Sequence, residues 1–142
     1  MKRHGTQKAI AILPKIDDII FLAVFVAVLV VGQRMINIDG DLPRHILTGR
    51  SILLSGELPH TEPFAYPYQD QPYTSHEWLT DVIFHLIYEA SGLQGLVIFA
   101  ALILAASISI LQRSLSRVYG MYIPALLLTL WGGAITSINW AL

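Results

Sequence analysis

Residues 19–32 read IIFLAVFVAVLVVG, and residues 92–111 read GLQGLVIFAALILAASISIL; neither run holds a charged side chain. With its flanks, each is about the 20 residues that a helix needs to cross a hydrocarbon core. Between them lies a polar segment, residues 39–77, which carries Asp39, Asp41, Arg44, His45, Arg50, His60, Glu62, Asp70, His76 and Glu77. A connector between two spanning helices needs only a few residues. The excess length and its ionisable groups make this loop the place to look for function.

Composition agrees with a membrane protein. Hydrophobic residues make up 54% of the chain and charged ones 13%, with a mean hydropathy of +0.58, outside the range of soluble globular domains. A net charge of −1 and the lack of a basic stripe argue against nucleic acid as a partner. The chain has no cysteine, which excludes disulfides, thiolate metal sites and a cysteine nucleophile.

The distribution of charge orients the chain. Lys2, Arg3, Lys8 and Lys15 precede the first run, and Arg113 and Arg117 follow the second. The loop sets Arg44 and Arg50 against a larger number of carboxylates. The positive-inside bias therefore predicts a cytoplasmic tail at 1–15, a first span at 16–38 and an external loop at 39–91. A second span at 92–112, a cytoplasmic turn at 113–120 and a third span at 121–142 complete the expected topology. Arg34 closes the first run and no small-x-small cleavage pattern follows, so the first span reads as a retained signal anchor. The third segment stops without a charged flank, and the chain reads as the front of a longer protein.

Two short helices are expected in the loop. The first covers about residues 42–54, with Asp41 as N-cap, Pro43 in the first turn and Gly56 as the stop. Ile46, Arg50, Leu53 and Leu54 would share one face, and Arg44, Thr48, Ser51 and Ser55 another. The second covers about residues 75–90: Thr74 and Glu77 form a capping box, and Glu77, Asp81, His85 and Glu89 repeat at spacing four as a polar stripe. Ser91 and Gly92 break it before the second span. Residues 58–73 hold four prolines and read as an extended crossing, with Tyr66, Tyr68 and Tyr73 suited to a membrane–water boundary. The fold class is thus all-α integral membrane: three spans and two amphipathic juxtamembrane helices in a long external loop.

Three pieces of the loop carry a resemblance. They are Asp39-Gly40-Asp41-Leu42-Pro43-Arg44-His45, Gly56-Glu57-Leu58-Pro59-His60-Thr61-Glu62-Pro63-Phe64, and His76-Glu77-Trp78-Leu79. Over about residues 16–112 the chain resembles the first external loop and flanking spans of GT-C class glycosyltransferases. It is closer still to bacterial inner-membrane proteins related to them, with the pattern D-x-D-L-x-x-H, G-x-x-P-x-x-x-x-F and H-E-W-L. The resemblance implies transfer of a sugar from a polyprenyl-phosphate donor to an external glycan, lipid or protein acceptor. It also implies an acidic residue just past the first span as the base that activates the acceptor. Asp39 matches that place best and Asp41 second. The pair is Asp-Gly-Asp rather than the adjacent Asp-Glu of the protein mannosyltransferase branch, so the choice between them stays open. The later spans that hold much of the lipid-donor site in those enzymes are not in this sequence, so 142 residues alone fall short of an active hexosyltransferase of that type.

Each candidate also has a structural reading. Asp39 could be an ordinary helix-terminal charge, and Asp41 and Glu77 are explained by capping. Arg44 and Arg50 suit a lipid phosphate or simple head-group contact. His45 and His76, with Asp39, Asp41 and Glu77, offer nitrogen and oxygen donors for a divalent metal, though no two have a recognised ligand spacing. The rival functions are a non-catalytic membrane subunit that binds a lipid or glycan, and a transporter or flippase component. Transport would be favoured by a charge at the centre of a span, and none of the three runs has one.

Overall fold

The computed structural model describes residues 15–38, 40–61, 64, 67, 71–120 and 122–136. Its helices are α1 (Ile16–Ile38), α2 (Leu42–Ser55), α3 (Trp78–Tyr119) and α4 (Tyr122–Thr136), with no strand among the described residues. One helical run, Trp78–Val118, is long and apolar enough to cross a membrane by length and composition; Ala125–Ala134 is a shorter apolar stretch.

Local chemistry accounts for the helix ends. Asp17 and Asp18 lie in the first turn of α1, where a carboxylate opposes the positive end of the helix dipole. The Lys15 N–H donates to Asp18 Oδ2 at 2.9 Å. The bounds of α1 are those expected for the first span. Pro43 sits in the first turn of α2, and Gly56 closes that helix in the left-handed region (φ 72°), its N–H donating to the Ile52 carbonyl at 2.8 Å. A residue with a Cβ resists that conformation. Gly92, inside α3, has φ 64° and ψ −161°. It is a kink between an amphipathic front and an apolar remainder, where the Ser91–Gly92 pair predicts a break.

Several expectations shift. The turn expected over residues 113–120 is helical as far as Tyr119, and α3 ends at Gly120 with φ 62°. The helix expected from Ser75 starts at Trp78, and the Glu77 carbonyl accepts the first helical bond, from Asp81 N at 2.9 Å. Thr74 is therefore not its cap. Asp41 holds the N-cap position of α2 by its backbone, accepting from His45 N at 3.0 Å, but its side chain makes no cap bond. Of the crossing expected over residues 58–73, the ends meet at the Thr61–Pro72 bridge and through Tyr73 N donating to the His60 carbonyl at 2.9 Å; most of what lies between them is outside the described residues. Asp39, Tyr66, Tyr68, Asp70 and the tail cations Lys2, Arg3 and Lys8 lie outside the described residues.

The described residues divide into two compact units, one built from residues 15–31 and 100–136, the other from residues 32–99. In the first, small side chains (Ala101, Ala105 and Ala125) are buried with Ile20 and Val28. A buried polar lock joins α3 to α4: Thr129 Oγ1 lies 2.9 Å from Gln112 Oε1, and Gln112 Nε2 donates to Ser116 Oγ at 3.1 Å. The first turn of α1 is tied to α3 through Arg113 Nε and Asp17 Oδ2 at 3.1 Å. Outward, Leu22, Val30, Ile110, Ile123 and Leu127 are exposed. Helices this apolar on all sides need either protein or lipid around them.

In the second unit α2 packs on the front of α3. Leu42, Thr48 and Gly49 are its buried residues, whereas Leu53 and Leu54 are exposed. The expected division of faces is therefore reversed at Thr48. The reason is Gly49, whose missing side chain lets that face approach α3 most closely. Phe84 stacks edge-on to both His45 and Phe99, at 6.1 and 6.4 Å between ring centroids. Such geometry favours the positive ring edge on the negative face.

Candidate functional site

Gly49 sets the geometry of the loop's polar centre. A Cβ built on it would lie 2.0 Å from the Asp81 carbonyl oxygen and 2.9 Å from the His85 Cβ. No side chain fits there without moving backbone. The contact presses one face of α2 onto the first turns of α3. His45, one turn before Gly49 on the same face, is thereby brought to Asp81.

Asp81 is the hub. Its side chain is 2% exposed, and a carboxylate buried that far is costly unless paired and hydrogen-bonded. Two partners supply this. His45 Nδ1 lies 2.6 Å from Oδ1, and Ser75 Oγ donates to Oδ2 at 3.2 Å. A carboxylate only accepts, so the imidazole carries a proton on Nδ1 and, when neutral, presents a lone pair at Nε2. Among the described residues Glu77 Oε2 lies 3.8 Å from Nε2, beyond hydrogen-bond reach. His45 is 15% exposed, so this nitrogen is held at the edge of the packed region. A buried carboxylate that fixes the tautomer and angle of an imidazole is an arrangement that can position or accept a substrate proton.

The other candidates fall around this centre or away from it. Arg44 Nη1 donates to the Tyr73 hydroxyl at 3.1 Å and Nε lies 3.6 Å from Asp41 Oδ1, so Arg44 binds the crossing to the start of α2. Asp41 is largely exposed, as is Glu77. His76 is exposed in the turn before α3. Arg50 is turned to a separate groove lined by α2 and α3. Asp39 lies outside the described residues. The structure thus brings together His45, Glu77 and Asp81, and it does not join Arg50 or His76 to them. No group of three or more His, Asp or Glu side chains among the described residues is placed to hold a metal ion.

The expected polar stripe is unevenly covered along α3. Along Asp81, His85 and Glu89 the side-chain exposure runs 2%, 13% and 72%, because α2 covers the start of the helix and not the end. Ser75 and Gly49 are the residues that sequence reasoning missed, and Asp81, placed on the stripe, was not singled out as the centre of the site. A glycine in mid-helix costs about 1 kcal/mol relative to alanine and usually marks a close packing contact; that was the available signal. Comparison with known protein families, characterised proteins and solved structures finds no match for this chain.

Proposed function

We propose that this chain is part of the machinery of a GT-C-like membrane glycosyltransferase, with three spans and residues 39–91 on the external side. The observation that carries the reading is the convergence of the loop's motif residues. The histidine of Asp39-Gly40-Asp41-Leu42-Pro43-Arg44-His45 lies 3.8 Å from the glutamate of His76-Glu77-Trp78-Leu79 and is fixed by Asp81 two residues beyond that motif. Residues far apart in sequence are held as one polar centre, to which a lipid-linked donor and an aqueous acceptor can come.

The proposed reaction is an inverting displacement. An acceptor hydroxyl oxygen attacks the anomeric carbon of the sugar, the bond from that carbon to the phosphate oxygen breaks, and the polyprenyl phosphate leaves with the electron pair. The hydroxyl proton passes to a carboxylate, Asp39 in the first instance. His45, through Nε2, accepts a hydrogen bond from the acceptor and holds it for attack. Arg44, at the start of α2, is a cation that suits the donor phosphate.

Asp39→Asn tests the assignment of the base. Membranes from cells expressing the protein from its complete reading frame are given radiolabelled polyprenyl-phosphate hexoses, and label in the endogenous acceptor is counted. Wild type should transfer, and Asp39→Asn should lose about 10²–10⁴-fold in turnover at unchanged protein level, the usual weight of a general base. Asp41→Asn should change it little, because the Asp41 side chain makes no cap bond to lose and asparagine keeps its size. The reverse order would move the base to Asp41. Wild-type transfer no greater than in vector membranes would overturn the enzymatic reading and favour a binding subunit.

Topology is tested separately. The Lys/Arg bias puts Gln7 inside and Gln69 outside. In intact cells an impermeant thiol reagent should label Gln69→Cys and leave Gln7→Cys unlabelled until the membrane is opened. Labelling only at position 7 would invert the proposed orientation.

A further inference from the structure

A groove between α2 and the front of α3, apart from the Asp81 cluster, has a volume of about 820 Å³, within the range of about 300–1,000 Å³ typical of sites for one small amphiphile. Its walls are mainly aliphatic, with Ile46, Leu47, Leu54 and Leu93 among them, and Arg50, His85, Tyr88 and Glu89 are its charged or titratable members. Glu89 is drawn to His85, with Oε2 3.7 Å from Nε2. His85 Nδ1 is buried without a hydrogen-bond partner. Arg50 has no ion pair or hydrogen bond among the described residues, although a carboxylate lines the same groove. An uncommitted guanidinium over an aliphatic trough is complementary to a hydrocarbon chain that ends in an anion.

We propose that the groove holds an acyl chain of an anionic phospholipid, with its phosphodiester on Arg50. The guanidinium fork matches the two free oxygens of a phosphodiester bidentately. The volume suits a chain of ordinary length rather than a long polyprenol. This lipid is a resident of the external loop and is distinct from the sugar donor. It fixes α2 along the membrane surface, where an amphipathic helix gains from both apolar burial and anionic head groups.

The full chain, delipidated in neutral detergent, is offered equal amounts of phosphatidylglycerol and phosphatidylcholine with identical acyl chains, and bound lipid is counted by native mass spectrometry. Wild type should retain one phosphatidylglycerol with a preference of about fivefold, the value of one cation near an anionic head group. Arg50→Gln should bring the two lipids to near parity, and Arg50→Lys, which keeps the charge, should retain a preference. Equal retention by wild type would overturn the proposal, as would an undiminished preference in Arg50→Gln. Displacement of phosphatidylglycerol by an equal amount of undecaprenyl phosphate would also overturn it, by making the groove a donor site. Sugar transfer enters none of these readings, so they stand or fall apart from the proposed enzyme.

Discussion

Gly49→Ala should destabilise the loop unit by about 3 kcal/mol or more, at the upper end of overpacking costs. The added Cβ would sit 2.0 Å from the Asp81 carbonyl oxygen and 2.5 Å from its carbon. Both are backbone atoms in the first turn of a helix, so no rotamer change relieves the contact. The two helices have to part, and His45 leaves Asp81 as they do. Gly132→Ala is the matched control, since a Cβ there meets nothing within 4 Å; it should be neutral or slightly stabilising, as alanine is the better helix former. Thermal unfolding of the two variants in detergent checks the pair. A Gly49→Ala protein as stable as wild type would mean that α2 does not pack on α3 as described.

Asp81→Ala should have an effect of similar size by another route. It removes the one group that answers both His45 Nδ1 and Ser75 Oγ, leaving two polar groups without partners in a packed region. Each buried polar group left without its partner costs about 1–3 kcal/mol. Asp81→Asn keeps the volume and an acceptor oxygen and should cost less. Ser75→Ala, which removes only the weaker partner at 3.2 Å, should cost least. In denaturant or thermal midpoints the expected order of damage is Asp81→Ala, then Asp81→Asn, then Ser75→Ala. If Asp81→Ala is as mild as Ser75→Ala, then Asp81 does not organise the site.

Local patterns made much of the fold legible. Apolar runs without charge gave α1 and the latter part of α3, Pro43 and Gly56 gave the ends of α2, and Ser91–Gly92 gave the kink. These signals depend on the residue and its immediate neighbours. The centre of the site was harder to read because it depends on which face is covered by a distant helix. Asp81 lies on a spacing-four stripe with Glu89, and sequence treats the two alike. Packing of α2 over only the first turns of α3 buries one and leaves the other exposed. His45 was legible as a candidate through its place in a motif, whereas its tautomer and its orienting partner follow from a contact across 36 positions.

The proposed role of Asp81-anchored His45 in sugar transfer at the external loop is tested most directly by comparing wild type with His45→Gln in the radiolabelled donor assay. Protein levels are matched, and unfolding midpoints are measured on the same preparations. The predicted result is transfer by wild type and a fall of about 10²-fold in turnover for His45→Gln that its stability does not account for. Transfer by His45→Gln at the wild-type rate would contradict it.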